Sequence, residues 1–147
     1  MEPFIGYITA EEKLHYLNTA DLFLHGSIVE LESLSCLEAI GCGLPCLVSD
    51  SDYSAASQFA LDDKFLFTSD DPNHLAERLD YWYEHRVELR GAEMKKRVLD
   101  EAAQYRFEKA VDDYETFIKN VVTPPAVKRI PSVAIRKPDA DKKANRL

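Results

Sequence analysis

Apolar and polar positions divide the chain into short apolar runs separated by longer stretches with helical spacing. Phe4-Ile5-Gly6-Tyr7-Ile8 is the first strand candidate. Thr9-Ala10-Glu11-Glu12 has the form of a capping box and opens a helix with Leu14 and Leu17 inward. A second apolar run, Leu22-Phe23-Leu24, follows Asp21. Ser33 then reads as the N-cap of a helix with Leu34, Leu37 and Ile40 as its buried stripe and Gly43 as its stop. Pro45 prevents that helix from continuing, and Cys46-Leu47-Val48 reads as a short buried strand.

From Ser49 to Asp63 the residues are small and polar with aromatic punctuation, which suits a loop and a short helix. Asp50, Asp52 and Ser54 there either line a cleft or simply make turns. Phe65-Leu66-Phe67 is the last strand candidate. Asp71 and Pro72 supply an N-cap and a first-turn proline to a helix carrying Leu75, Leu79 and Trp82. From Arg86 the chain is helical and charged, with Met94, Val98 and Ala102 as a sparse stripe. A strongly amphipathic helix from about Phe107 to Val122 follows, and Pro124-Pro125 ends it. Strands alternating with helices indicate a Rossmann-like α/β domain with a parallel sheet flanked by helices. The expected division is a domain over residues 1–122 and a flexible basic tail over residues 123–147.

Candidate chemistry concentrates between Glu30 and Asp50. Glu30 and Glu38 lie eight residues apart, one in the loop before the central helix and one in its second turn. Free N–H groups at a helix start, with the helix dipole, favour a diphosphate. Carboxylates accept hydrogen bonds from vicinal hydroxyls, so the two Glu residues suit a sugar and a ribose. Their spacing equally suits solvated carboxylates that favour the dipole, and both readings stand at this point. His25 ends the second apolar run, where open α/β sheets bind ligands. It reads either as a site residue or as a structural histidine bonded to a loop. His15 and His85 read as surface residues, and His74 follows a helix N-cap.

Net charge changes the picture in one place. The chain carries −8 overall, but residues 128–147 hold seven Lys/Arg against two Asp, a net of +5 that leaves −13 on the rest. An acidic body argues against general nucleic-acid binding. Cys36, Cys42 and Cys46 are odd in number and lack a C-x-x-C pair, so buried reduced thiols are expected and no metal site. No stretch reaches the length of a membrane span, and no signal-peptide pattern opens the chain, so a cytoplasmic protein is expected.

Glu30-x7-Glu38 followed by Ala39-Ile40-Gly41-Cys42-Gly43-Leu44-Pro45 resembles the signature of family 4 retaining glycosyltransferases. Ala20 to Ser27 resembles that family's strand and loop upstream, and Ser54 to Asp62 resembles a segment of its bacterial diacylglycerol-glycosylating branch. The resemblance runs from about Phe4 to Val122 and implies the donor-binding, C-terminal half of a GT-B fold. It implies transfer of a hexose, with retention, from a nucleoside diphosphate sugar such as a UDP-sugar to a hydroxyl acceptor, a membrane glycerolipid by the same likeness. It places the donor sugar on Glu30, the ribose on Glu38 and the diphosphate on backbone amides around Ser33 and Leu34. No metal or cofactor beyond the donor is implied. The family has Phe-Gly where this chain has Glu32-Ser33. The implied partner is the N-terminal GT-B half, or a protein supplying it. The charge of the basic tail suits either an anionic membrane surface or a solvated, silent extension. The chain by itself is then expected to be inactive. A non-catalytic nucleotide-binding or protein-interaction module with the same half fold is the alternative.

Overall fold

Three short strands, β1 (Phe23–His25), β2 (Cys46–Asp50) and β3 (Leu66–Thr68), pair in parallel in the order β1-β2-β3. They belong to a computed structural model that describes residues 5–122. The first four residues of β2, the apolar Cys46, Leu47 and Val48 and then Ser49, are buried, as befits a central strand covered on both faces. Its register sets His25 beside Val48 and Asp50 beside Thr68, so the C-terminal ends of the strands share one edge of the sheet. Among the described residues β1 has a strand neighbour on one side only.

Helices follow the strands as their sequence signals direct. Helix α1 (Ala10–Thr19) starts at a complete capping box: Glu12 N–H donates to Thr9 Oγ1 at 3.2 Å, and Thr9 N–H to Glu12 Oε2 at 2.7 Å. Helix α2 (Leu34–Gly41) links β1 to β2 and ends where Gly43 takes φ +76°. A Cβ at Gly43 would lie 2.8 Å from Lys95 Cγ, so glycine answers both the turn and the close packing there. Helix α3 (Pro72–Glu84) starts where Asp71 accepts from the N–H groups of Asn73 and His74. Gly91 separates α4 (Arg86–Leu89) from α5 (Ala92–Ala102), and α6 (Phe107–Val122) closes the described chain.

The core joins Cys36, Ala39 and Ile40 of α2 to Cys46 and Val48 of β2, Trp82 of α3, and Met94 and Val98 of α5. Trp82 stacks on Phe65 with ring centroids 4.2 Å apart, and its Nε1–H donates to the Lys64 carbonyl at 3.0 Å. The chain divides into two units, residues 1–111 and residues 112–147. In the second, the described residues are the end of α6, where Tyr114, Phe117, Ile118 and Val121 are exposed.

Four sequence expectations need correction. Residues 5–8 of the first strand candidate form no strand, having no neighbour to pair with; Phe4 lies outside the described residues. Leu14 of α1 is exposed, and that helix buries no residue. On α2 the buried face is Cys36, Ala39 and Ile40, so Leu34, two residues and about 200° from Cys36, points out. Phe65 precedes β3 in a short 3₁₀ turn instead of opening the strand. The expected basic tail, residues 123–147, also lies outside the described residues.

Asp21, just before β1, receives both Arg90 Nε–H and an Nη2–H at 2.7 Å each. These hydrogen bonds hold the Asp21 carboxyl below the usual carboxylate range. A depressed folded value stabilises the fold above the unfolded value of about 3.9, and that gain disappears as pH falls through the folded value. The stability gap between wild type and Arg90→Ala is therefore expected to be full at pH 7 and to narrow below about pH 4. Urea unfolding at both pH values checks this, and a gap independent of pH rules it out.

Candidate functional site

The loop after β1 returns along the C-terminal edge of the sheet and is tied down there. Ser51 Oγ–H donates to the Ile28 carbonyl at 2.7 Å. Glu30 forms an isolated parallel bridge with Ser54: its N–H donates to the Tyr53 carbonyl at 3.1 Å, and its carbonyl accepts from Ala55 N–H at 2.8 Å. Its backbone is thus held on both sides while its carboxylate points toward β1. Glu30 Oε2 lies 3.7 Å from His25 Nε2, at the end of β1.

Ser33 closes this cluster. It occupies the expected N-cap position, but with φ 47° and ψ 68°, and its side chain caps nothing. That is left-handed backbone, which favours glycine. Its hydroxyl, buried with the rest of the residue, lies 3.4 Å from both His25 Nε2 and Ser35 Oγ. The first N–H groups of α2 are left without a side-chain cap. Ser33→Ala and Ser33→Gly both remove the hydroxyl, but only glycine relieves the backbone. The glycine variant is expected to be more stable than the alanine variant by about 1–2 kcal/mol in urea unfolding. Equal stability would mean that the backbone there carries no strain.

Glu38 stands apart from this cluster. Lys13 Nζ, from α1, meets Glu38 Oε1 at 2.6 Å, and both side chains are nearly half exposed. The two line a mainly apolar cavity of about 320 Å3 with Tyr16, Leu22, Phe23 and Ser35. Ser35 links the two groups, facing Ser33 on one side and the cavity of Glu38 on the other. Of the site residues expected from sequence, the structure brings His25, Glu30 and Ser33 together, places Glu38 in a neighbouring pocket, and leaves Leu34 exposed at the helix start.

The remaining histidines lie elsewhere. His74 Nδ1 accepts from Thr68 N–H at 3.1 Å, and His85, part-buried, stacks on Tyr81 and donates from Nδ1 to the Tyr81 carbonyl at 2.7 Å. Cys36 and Cys46 are buried beneath the site and Cys42 is partly so; all three are free thiols. A hydrogen bond with the Cys36 thiol, together with burial, pushes the Cys46 thiol up, so it stays protonated. Among the described residues no three His, Cys, Asp or Glu side chains gather in a way that could hold a metal ion. No helix of the described residues is long and apolar enough to cross a membrane.

Sequence reasoning passed over Lys13 and Ser35. Lys13 reads as one more polar residue of an exposed helix, since only the packing of α1 beside α2 brings it to Glu38. The pairing of residues 53–55 with Glu30 likewise leaves no periodic signal, being a single bridge.

Residues 3–105 match the family model "Glycosyl transferases group 1". The chain belongs to this family. The group 1 domain is also similar to a solved structure, the catalytic domain of cholesterol-α-glucosyltransferase from Helicobacter pylori. The two share 34% sequence identity with a TM-score of 0.62, over 69% of this chain. The domain spans 62% of that chain's length. No curated protein sequence matches it. Its parallel sheet, flanking helices and C-terminal helix match one half of a GT-B fold.

Proposed function

We propose that this group 1 domain is the donor-binding portion of a family 4 retaining glycosyltransferase that moves a hexose from a nucleoside diphosphate sugar to a hydroxyl acceptor. The observation that carries the reading is the meeting of Glu30, His25 and Ser33 beside the uncapped start of α2. An uncapped helix start offers backbone N–H groups and the positive end of a dipole, which suit a diphosphate. The amides around Ser33 and Leu34 take that role. Glu30 accepts from hydroxyls of the donor sugar, and Glu38, with its cavity, from the ribose. No metal takes part in this arrangement.

The name of the similar Helicobacter pylori enzyme supports transfer of a hexose to a hydroxyl acceptor. Common nucleoside diphosphate glucoses are α-linked, so an α-glucoside product also fits retention. A membrane glycerolipid is the acceptor in our reading. The basic residues 128–147 favour an anionic cytoplasmic membrane surface, where each gains about 1 kcal/mol. Acceptor binding falls to the other half of a GT-B cleft, from a preceding domain or a partner, so residues 1–147 alone transfer no sugar.

Calorimetric titration of UDP and UDP-glucose into the protein tests the reading. Binding of both ligands is expected, with UDP-glucose the tighter. Absence of binding by either one sinks the donor-site assignment.

A further inference from the structure

Glu30 is built for aim. Backbone hydrogen bonds to Tyr53 and from Ala55 hold its main chain, so only its side-chain torsions remain free. Its side chain is 30% exposed, while that of His25 is 14% exposed and rises from the end of a paired strand. The imidazole is therefore the more rigid member of the pair. His25 Nε2 faces two oxygens, Ser33 Oγ at 3.4 Å and Glu30 Oε2 at 3.7 Å. Ser33 holds a left-handed backbone at the helix entry and turns its hydroxyl to the imidazole instead of to the helix N–H groups. A strained residue whose side chain gives up its usual role suggests a local function.

We propose that His25 is a positioning residue for Glu30, braced by Ser33, and that it acts on the donor sugar only through the Glu30 carboxylate. The inference rests on the donor-site reading above. In this role Nε2 holds Oε2, 3.7 Å away, on the side of β1, and Oε1 accepts from a sugar hydroxyl. Without that hold, a partly exposed glutamate samples several rotamers, and each sugar contact must first order it. His25 itself donates nothing to the nucleotide.

The test is a double-mutant cycle read by calorimetry with two probes, UDP and UDP-glucose, on the full-length protein. The variants are His25→Leu, His25→Gln, Glu30→Ala and His25→Leu/Glu30→Ala, each checked for a cooperative unfolding transition. His25→Leu is expected to weaken UDP-glucose about tenfold and to leave UDP unchanged. His25→Gln, which keeps a donor at similar reach, is expected to recover most of the loss. The double variant is expected to bind no worse than Glu30→Ala alone.

A merely structural histidine would weaken both probes together, and that result overturns the inference. So do losses that add in the double variant, because His25 would then touch the sugar independently. Selective loss in Glu30→Ala with no effect of His25→Leu overturns the inference and leaves the donor-site reading intact. If Glu30→Ala leaves the sugar-dependent gain unchanged, the donor-site reading fails, and the positioning role with it. Should His25→Leu fail to unfold cooperatively, His25→Gln and Ser33→Ala decide. Wild-type affinity in His25→Gln with selective loss of UDP-glucose in Ser33→Ala supports the role; equal weakening of both probes overturns it.

Discussion

Glu38→Ala is expected to weaken UDP and UDP-glucose alike, by about 10- to 100-fold, whereas Glu30→Ala weakens only the sugar-bearing ligand. A hydrogen bond to a charged acceptor contributes about 1.5–3 kcal/mol, which sets that range. The contrast between ligands follows from the separate positions of the two carboxylates. Glu30 sits with His25 at the strand end, and Glu38 sits in the cavity shared with Lys13. A ribose is common to both ligands, and a hexose is not. Removing Glu38 also leaves Lys13 without its partner, but Lys13 is nearly half exposed and water replaces the carboxylate. Stability should therefore change little, and lost affinity can be read as lost contact. Calorimetric titration of both ligands into each variant is the measurement. Unchanged affinity in both variants would remove the carboxylates from the site.

Trp82→Ala is expected to cost about 3–5 kcal/mol of folding stability. Trp82 is 2% exposed, stacks on Phe65 and meets Tyr81 edge-on. It joins α3 to the turn that leads into β3, because its Nε1–H donates to the Lys64 carbonyl. Alanine there leaves a large void between helix and sheet and a carbonyl without its donor. A typical domain has only about 5–15 kcal/mol of stability, so the loss is a large share of the whole. Trp82→Phe keeps ring packing and loses the hydrogen bond, and is expected to cost about 1 kcal/mol. Urea unfolding followed by near-ultraviolet dichroism separates the two. An alanine variant within about 1 kcal/mol of wild type would show that the stack carries little of the core.

Much of the fold could be read along the chain because its signals are local. The capping box at Thr9, the Asp71-Pro72 helix start and the stop at Gly43 each depend on residues within a single turn, and each occurs where the sequence indicates. The order of strands and helices follows from the same punctuation. Burial was less legible. Leu34 and Leu37 look like core positions by composition, but on so short a helix the neighbours decide which face is inside. β2 and α5 lie against Cys36, Ala39 and Ile40, so two small residues are buried and Leu34 is left out.

The candidate site divides along the same line. Glu30 and Glu38 stand out in the sequence by type, spacing and surrounding motif, and Ser33 by its place before an apolar helix. Those features depend on one continuous stretch of chain. That His25 turns to Glu30, that Ser33 adopts a left-handed backbone without capping α2, and that Lys13 comes from another helix to hold Glu38 are tertiary facts. Each depends on strand register or helix packing between residues distant in sequence. No local pattern encodes them, because side chains on separate elements meet only after burial of the core has set the elements against each other.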